Sequence, residues 1–363
     1  MSQLTITVCS SMEQWRALRS EWNQLLRDSA ASSFFLTWEW LYSWARYSVK
    51  NNRQLFILKV AYKDQPVAIA PFYLEKKRRF LVTITELKFL GAPDAGSDYL
   101  DVFIKKGHEK RVAQGLYRYL LREARHQWDF LCLTDVPADS LFLLHFMNAV
   151  EADGKHLELS RSAYCPALQL PDSEEDLYAM MSSGWRKKHK QDVRVVNRDY
   201  RVEYKVYQGA EVIDHLDPFF EHYQEKAGWA IQNIRSILAS FSGEFDQHPP
   251  LQLDFMLVDG KLRAALLHLI CEDTLLMYLM AVDKTFNPKI SLGNVLVGQS
   301  IVAAIENGQY QYYDFLKGHE QYKFHWSNTG VTTLCLRLWQ KNLSGIVVGA
   351  ELMLRNLFKS IMR

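Results

Sequence analysis

The hydrophobic positions of this chain follow two different periods along its length. Between Met12 and Arg27, apolar residues recur at spacings of three and four, which predicts an amphipathic helix. Between residues 251 and 282, three apolar runs of strand length are separated by short polar turns, which predicts an antiparallel meander. The three strands are expected at Leu251–Val258, Leu262–Cys271 and Leu275–Val282.

The same order of elements is predicted in both halves of the chain: helices, an antiparallel meander, a helix and a strand. This predicts an α/β protein of the α+β type, although no residue-level repeat is evident. In the first half, extended runs are predicted over 55–61, 67–74 and 80–90, and the basic cluster Lys76–Arg79 between them is interpreted as a solvated turn. The break at 171–173 predicts an N-terminal domain over residues 1–171 and a C-terminal domain over residues 172–363.

The composition is typical of a globular protein with about two domains. Of the 363 residues, 48% are hydrophobic and 23% are charged, and the formal net charge is only +2. Bulk attraction to nucleic acid is therefore not expected, and DNA is not a predicted partner. The five cysteines are isolated in sequence, no signal-peptide pattern is visible, and no apolar stretch reaches the length of about 20 residues that spans a bilayer. We expect a reducing, cytoplasmic location.

The stretch from residue 275 to 326 predicts a strand, a loop, a helix and a second strand. Such an order indicates a parallel crossover, and ligands usually bind at the carboxyl ends of the strands in such units. The helix is predicted from about Asn294 to Glu306, and its small or polar start would let a phosphate or carboxylate approach the backbone N–H groups. We assign donor binding to Ser291, Gly293 and Asn294, with a plain helix entry as the alternative.

Ionisable residues are concentrated directly after the second strand, predicted over 310–316. The fourteen residues from Tyr313 to Trp326 include one Asp, one Glu, two Lys, two His and two Tyr. Packing alone does not explain so many polar groups at a strand end, so we interpret the segment as a candidate site. A solvated turn whose aromatic residues cover the core is the alternative.

Four motifs resemble one family of acyltransferases. The pattern Asp314-Phe315-Leu316-x-Gly318-x-x-x-Tyr322-Lys323-x-x-Trp326 is similar to the closing signature of the GNAT-related BioF2-like, or CelD-like, family, which is close to the FemAB-type aminoacyl transferases. The other three motifs resemble the family's N-terminal block, its aspartate motif and the start of a helix in its second domain. They are Phe34-Phe35-x-Thr37-x-x-Trp40-x-x-x-Trp44, Gly96-Ser97-Asp98-Tyr99-Leu100-Asp101 and Ser183-Gly184-Trp185-Arg186-Lys187-Lys188.

The resemblance implies two GNAT-like domains in tandem, each with a mixed, mostly antiparallel sheet flanked by helices. It also implies a donor cleft where the parallel segments Leu275–Val282 and Tyr310–Leu316 separate, with the donor's phosphates facing the helix that begins near Asn294. The loop before that helix lacks the Q/R-x-x-G-x-G/A pattern of acyl-CoA-binding loops. Acyl-CoA is the expected co-substrate, with an acyl carrier protein or an aminoacyl-tRNA as the open alternatives.

Acyl transfer requires that a nucleophile lose its proton and that an oxyanion be stabilised, and four residues are candidates for these tasks. We assign Asp314 to orient or deprotonate the acceptor, with Glu320 as the alternative base. Lys323 would stabilise the developing charge or contact an acidic group of the donor, as the resemblance implies. Tyr322 would donate a proton to the leaving group, with a purely structural aromatic residue as the alternative.

Substrate binding is assigned to Asp98, Tyr99, Trp40 and Arg186. Asp101 is expected to face away from Asp98 and to be exposed, because residues three apart on a strand lie on opposite faces. Arg186 begins a basic stripe on a predicted helix, which is either a solvated face or a surface for an anionic partner. The other members of the stripe are Lys190, Arg194 and Arg198.

The histidines do not have the spacing of metal ligands, and no metal is predicted. The predicted function is transfer of an acyl group from a thioester donor to an amine or hydroxyl of a carbohydrate, cell-envelope or exopolysaccharide precursor. The alternatives are a FemAB-like transferase that uses aminoacyl-tRNA and a non-catalytic GNAT-fold binding protein of a polysaccharide synthesis system. A C-terminal helix from about Leu343 is predicted to dock on the second domain or to make peripheral membrane contact.

Overall fold

The chain divides into two compact units. The structure is a computed structural model that describes residues 4–79, 82–92, 94–155, 157–223, 228–246 and 248–342, together with residues 345, 347 and 349. Unit 1 consists of Met1–Ser162 and Thr332–Arg363, and unit 2 is the continuous segment Ala163–Val331. The expected boundary after residue 171 therefore falls within unit 2. The predicted C-terminal helix from Leu343 lies outside the continuously described residues.

Unit 1 holds the first five α-helices and the first eight strands. The helices are α1 (Met12–Ala17), α2 (Arg19–Arg27), α3 (Trp38–Ser48), α4 (Glu109–Arg118) and α5 (Leu141–Ala152), with a 3₁₀ turn at Phe34–Leu36 and a π-helical turn at Tyr119–Glu123. The strands are β1 (Leu4–Cys9), β2 (Arg53–Leu55), β3 (Ile57–Tyr62), β4 (Gln65–Ala70), β5 (Phe72–Arg79), β6 (Val82–Phe89), β7 (Phe103–Ile104) and β8 (Phe130–Pro137).

The strands of unit 1 form two sets. One is an antiparallel sheet in the order β1-β3-β4-β7. In the other, the order is β15-β8-β6-β5-β2, and β6 and β8 form a parallel pair over two positions, Glu86 with Phe130 and Leu87 with Leu131. The last strand within the described residues, β15 (Thr329–Trp339), pairs antiparallel with β8. Residues 332–339 of this strand belong to unit 1, whereas the C-terminal domain predicted over 172–363 includes them.

The basic cluster Lys76–Arg79 lies within β5, so its interpretation as a turn is wrong. Glu75 and Glu86 are directly opposite each other on β5 and β6, and like charges in that position repel. Lys77 and Arg79 lie 3.1 and 2.7 Å from the carboxylate of Glu86 and offset this repulsion. Although burial opposes it, hydrogen bonds from three cations, Lys77 among them, hold the pKa of Glu75 at about 2.

Unit 2 holds the remaining helices and one mixed sheet. Its helices are α6 (Glu174–Met180), α7 (Ser183–Asp199), α8 (Glu211–Asp214), α9 (Leu216–Tyr223), α10 (Gly228–Ser242), α11 (Leu292–Asn307) and α12 (Gln321–Trp326). The strand order is β10-β11-β12-β13-β14-β9, in which β13 and β14 are parallel and the other pairs are antiparallel. The strands are β9 (Glu158–Gln169), β10 (Val202–Gln208), β11 (Leu251–Val258), β12 (Lys261–Cys271), β13 (Thr274–Val282) and β14 (Tyr312–Asp314). The predicted meander is confirmed.

Helix α11 lies in the core of unit 2 and positions the site. It is apolar around nearly its whole circumference, which is the pattern of a buried helix. A Cβ atom at Gly298 would lie 2.5 Å from His189 Cε1, so only glycine lets α11 approach α7 this closely. The helix ends at Gly308, whose φ of 69° is the left-handed conformation that glycine adopts at helix C-termini.

Candidate functional site

The parallel pair of unit 2 is short and separates early. Strands β13 and β14 pair at three positions, the last of which joins Leu276 to Asp314, and β14 ends there while β13 continues to Val282. On its other edge, β13 changes register with β12 between Met277 and Leu279, so that one extra residue forms a bulge. Because bulges bend a strand, β13 is bent at the point where its pairing with β14 ends.

A cavity of about 310 Å³ lies at the carboxyl end of β13. Its walls are Met280 and Val282 of β13, the loop over 283–291, the first turn of α11 and Tyr322 of α12. This volume is at the lower end of the range of about 300–1,000 Å³ typical of small-molecule sites. The strand, the helix start and one candidate catalytic residue therefore border the same space.

The three residues assigned to donor binding all line this cavity. Ser291 is exposed at the N-cap of α11, and its side chain makes no capping hydrogen bond. A Cβ atom at Gly293 would lie 3.0 Å from Val282 Cγ2 and 3.1 Å from Met280 Sδ. Glycine at this position therefore lets the first turn of α11 begin close to β13.

The side chain of Asn294 has a structural role that we did not expect. The indole N–H of Trp326 donates to Asn294 Oδ1 at 2.9 Å, so the amide NH₂ of Asn294 faces His189 Nδ1 at 3.2 Å. Burial lowers the pKa of His189 to about 4, which keeps Nδ1 free to accept this hydrogen bond. The Asn294 side chain thus joins α7, α11 and α12, and its amide group is already bonded within the protein.

Tyr322 borders the cavity and is half-buried. Burial raises the pKa of its hydroxyl, and the nearby charge of Glu320 raises it further. The hydroxyl is consequently protonated throughout the neutral range, which is the state that a proton donor requires. Of the four catalytic candidates, all of which lie in the described part of the chain, Tyr322 is the one that lines the cavity.

Lys323 holds together the loop between β14 and α12. Its ammonium group donates to the carbonyl oxygen of Lys317 at 2.9 Å and lies 3.3 Å from Glu320 Oε2. A Cβ atom at Gly318 would lie 2.4 Å from Lys323 Nζ, so glycine makes room for this buried cation. The side chain of Glu320 is 43% exposed, whereas that of Lys323 is 7% exposed.

Asp314 stabilises the turn that ends β14. Its Oδ1 accepts the backbone N–H of Leu316 at 2.7 Å, and Leu316 has a φ of 54°. Asp314 is 8% exposed and pairs with Leu276 at the last position before the strands separate. Since side chains alternate along a strand, Asp314 and Tyr313 face opposite sides of the sheet.

A buried polar network that sequence analysis missed surrounds Tyr313. Its hydroxyl oxygen lies 2.8 Å from His268 Nε2, and Ser300 Oγ donates to Asp254 Oδ2 at 2.7 Å and lies 3.4 Å from the same hydroxyl. Burial lowers the pKa of His268 and raises that of Tyr313. The available signal was one polar residue within an apolar run, as at His268 in Leu266–Ile270, which periodicity alone does not connect to a partner.

The acceptor-binding candidates of unit 1 are mostly interior residues. Trp40 is fully buried and donates from Nε1 to Ser97 Oγ at 2.9 Å, so it supports the loop before β7 and is not exposed to an acceptor. Asp98 is 1% exposed, and Tyr99 is half-buried with a φ of 52°. The expectation that Asp101 is exposed is wrong, since it is 4% exposed and burial raises its pKa to about 7.

The basic stripe on α7 makes mainly local contacts. Arg186 donates to the carbonyl oxygen of Tyr178 at 3.2 Å, and the ammonium group of Lys190 lies 4.2 Å from the centre of the Tyr178 ring. Arg198 bonds to its neighbour Asp199 at 2.6 Å. These contacts support the interpretation of the stripe as a solvated helix face, with Arg186 attached to the end of α6.

Among the described residues, no group of three or more His, Cys, Asp and Glu residues is arranged to hold a metal ion. No helix within the same ranges is both long and apolar enough to cross a membrane.

The segment that contains the cavity is similar to a known domain family. Residues 177–324 match the family model of the acetyltransferase (GNAT) domain. The match lies within unit 2 and includes β13, α11, β14 and Tyr322. This part of unit 2 is therefore similar to a GNAT acetyltransferase domain. No curated protein matches the chain in sequence.

Solved structures with the same fold extend over both units. FemX is 10% identical, covers 89% of this chain and 96% of its own, and gives a TM-score of 0.59. A tandem GNAT protein from the clavulanic acid biosynthesis pathway is 11% identical, with coverage of 92% and 98% and a TM-score of 0.50. A conserved protein of unknown function from Bacteroides thetaiotaomicron is 13% identical, with coverage of 92% and 100% and a TM-score of 0.55. The expected tandem GNAT-like fold with mixed, mostly antiparallel sheets and flanking helices is confirmed.

Proposed function

We propose that unit 2 transfers an acyl group from a thioester donor to an amine or hydroxyl of a carbohydrate, cell-envelope or exopolysaccharide precursor. The observation that carries this proposal is the cavity beyond Leu276 and Asp314, where the parallel strands separate and Tyr322 borders the opening. The match of residues 177–324 to an acetyltransferase domain supports the same reaction class. The nature of the acceptor follows from the family resemblance alone.

The donor would lie along the free edge of β13. Beyond Leu276, the described residues provide no β-partner on that side of the strand, so its backbone groups can pair with the amides of an extended donor arm. Met280, Val282 and Phe286 supply an apolar wall for this arm. The N–H groups of the first turn of α11 would meet a negatively charged part of the donor such as the phosphates of acyl-CoA.

In the proposed reaction, the acceptor nitrogen or oxygen attacks the thioester carbonyl carbon, and the carbon–sulfur bond breaks as the tetrahedral oxyanion collapses. The departing thiolate takes the proton of the Tyr322 hydroxyl, and the proton of the acceptor passes to a carboxylate. Glu320 suits that second role better than Asp314, because Glu320 is partly exposed while Asp314 is buried and bonded to the Leu316 N–H. Lys323 positions the loop that carries Glu320.

The loop before α11 supports a second candidate donor. Its backbone donors are largely used within the loop, which leaves few for a diphosphate. The Thr285 N–H donates to Asp283 Oδ1 at 2.8 Å, the Lys289 N–H to Asn287 Oδ1 at 3.1 Å and the Leu292 N–H to the Ile290 carbonyl at 3.1 Å, and Pro288 has no N–H. A donor bound mainly through another part of a carrier, either an acyl carrier protein or an aminoacyl-tRNA, would need fewer of these groups.

Donor and acceptor panels test the proposal directly. The full chain is incubated with acetyl-CoA, longer acyl-CoA thioesters, acyl carrier protein thioesters and aminoacyl-tRNA, each with amine and hydroxyl acceptors. Product formation is followed by mass spectrometry and thiol release by absorbance. We expect transfer from a thioester donor. Transfer only from acyl carrier protein thioesters or only from aminoacyl-tRNA would favour the second candidate, a carrier-bound donor. Binding of a donor without transfer to any acceptor would indicate a non-catalytic binding protein.

A further inference from the structure

A long groove runs along α4 in unit 1. A cavity of about 930 Å³ is bordered by β1, by Tyr62 of β3, by α4 and by the π-helical turn that follows it. A second cavity of about 390 Å³ adjoins it, since Gln114 and Arg118 line both. Together the two cavities extend along more than one turn of the helix.

The groove carries an excess of positive charge in a chain that is nearly neutral. The larger cavity is lined by Lys110, Arg111 and Arg118, with Glu123 as its carboxylate. Lys110 and Arg118 are exposed, and neither side chain makes a hydrogen bond or ion pair with another described residue. Because like charges along a helix face repel mildly, a bound anion would stabilise this row of cations.

The backbone beside the groove is irregular in a way that supports a binding role. Residues Tyr119–Glu123 form a π-helical turn, and both of its end residues line the cavity. Single π-helical turns are rare and occur frequently at functional sites. The floor is close-packed, since a Cβ atom at Gly115 would lie 2.4 Å from Leu4 Cδ1.

The polar groups in the groove are of mixed type. The Arg111 guanidinium lies 4.1 Å from the centre of the Tyr62 ring and therefore covers one face of that ring. Gln114 and Glu123 offer acceptors for hydroxyl groups, which a sugar chain carries beside its carboxylates and a polyphosphate chain lacks. The repeat of Lys110, Gln114 and Arg118 at every fourth residue spaces the polar groups about 6 Å apart, which is comparable with one sugar ring in an extended chain.

We propose that this groove binds an acidic oligosaccharide, a glycan that bears carboxylate groups. Arg111 and Arg118 would pair with the sugar carboxylates through their planar guanidinium groups. Gln114 would donate to or accept from sugar hydroxyls, and the Glu123 carboxylate would accept hydrogen bonds from them. The groove belongs to unit 1, and binding there does not depend on the transfer reaction proposed for unit 2.

Binding of defined oligosaccharides to the full chain tests this site. Isothermal titration calorimetry at low salt compares oligogalacturonate with a neutral oligosaccharide of equal length, with inorganic polyphosphate and with single-stranded RNA. We expect binding of oligogalacturonate that weakens with added salt, and weaker binding of the other three. No binding of oligogalacturonate, equal binding of the neutral sugar, or equal or tighter binding of polyphosphate or RNA would overturn the proposal.

Matched variants locate the bound sugar. The double variant Arg111→Gln with Arg118→Gln is expected to weaken oligogalacturonate binding at least about tenfold, because two charge-assisted contacts are lost. Gln114→Leu should weaken the binding of oligogalacturonate and leave any residual binding of polyphosphate unchanged. Arg27→Gln on the exposed end of α2 is the control. Equal losses in the control, or no loss in the double variant, would place the sugar elsewhere; thermal unfolding of each variant confirms that it is folded.

Discussion

Both units contain a short parallel pair of strands, but what lies beyond the end of that pair differs between them. In unit 1, β6 and β8 pair at two positions, and the chain itself then reaches β8, where the Leu100 N–H donates to the Asp135 carbonyl at 3.0 Å. In unit 2, β13 and β14 pair at three positions, and a cavity follows. The same local topology therefore gives a filled interior in one unit and a candidate ligand site in the other.

The difference explains why similar-looking acidic motifs have different environments. In unit 1, the segment before β7 is fixed by the Trp40–Ser97 hydrogen bond, and it places Asp98 and Asp101 in the interior. In unit 2, the segment after β14 is held by Lys323 and leaves Glu320 partly exposed. An acidic residue in such a segment can thus be either buried or partly exposed, according to the contacts that hold the segment.

Removing the buried Trp40 ring of unit 1 should have the largest effect on the stability of the protein. Trp40→Ala deletes a fully buried ring, and we expect a loss of about 3–5 kcal/mol in the free energy of unfolding, measured by urea denaturation. The control Leu144→Ala removes a half-exposed side chain and should cost less than about 0.5 kcal/mol. An unchanged stability accompanied by weaker acceptor binding would restore Trp40 as a substrate contact.

The proposed role of Tyr322 as proton donor at the cavity of unit 2 is tested by Tyr322→Phe. This change removes the hydroxyl group but keeps the ring. We expect kcat to fall by roughly 10²-fold with little change in the KM of the donor. Tyr204→Phe on β10 is the matched control, since burial also raises the pKa of Tyr204 and it does not line the cavity. Steady-state rates of thiol release measure both variants, and a wild-type kcat in Tyr322→Phe would exclude it as the donor.

The buried acid of unit 1 should make stability fall as the pH rises. Burial raises the pKa of Asp101 from 3.8 to about 7, so the folded state holds a proton that the unfolded state releases. This contribution is complete below about pH 4 and is lost as the pH approaches 7, by at most about 1.4 kcal/mol per pH unit. Asp101→Asn should flatten this slope in urea denaturation, whereas the exposed Asp172→Asn should retain it.

The buried His189 of unit 2 should make stability rise, rather than fall, as the pH increases. Burial lowers the pKa of His189 from 6.5 to about 4, so its contribution to stability is complete above about pH 6.5 and is lost as the pH falls towards 4. His189→Gln keeps an acceptor for the Asn294 amide and removes the titration. We expect the variant to lose less stability than wild type between these pH values, and identical pH profiles would contradict the assignment.

A smaller effect is expected from narrowing the donor cavity. Gly293→Ala places a Cβ atom against Val282 and Met280, and we expect the KM of the donor to rise about tenfold, equivalent to about 1.4 kcal/mol. Gly184→Ala near the start of α7 is the control, since no atom lies within 4 Å of a Cβ atom there. Equal KM values for both variants would mean that the donor does not approach the start of α11.

The elements next to the cavity could be predicted because their signals are local. The expected strand Leu275–Val282 begins one residue after the observed start of β13, and α11 was expected within its observed limits, Leu292–Asn307. The expected strand Tyr310–Leu316 contains β14, although only its central part pairs. Runs of apolar residues and a terminal glycine are sufficient for such predictions, since they require no knowledge of a distant partner.

The predictions that failed depend on contacts between distant parts of the chain. Lys76–Arg79 has the composition of a turn, and its place in β5 depends on Glu86 across the sheet. The alternation argument for Asp98 and Asp101 assumed a strand, but that segment is irregular and its Tyr99 has a positive φ. The Asn294 amide is occupied by His189 and Trp326, which lie far from it in sequence.

The assignment of residues 332–339 to unit 1 has a consequence for synthesis of the chain. A ribosome that has added residue 331 has made every residue of unit 2, while β8 still lacks its antiparallel neighbour β15. The half of the protein that is translated first is therefore completed last, and until then it exposes the backbone groups of a strand edge that promotes aggregation.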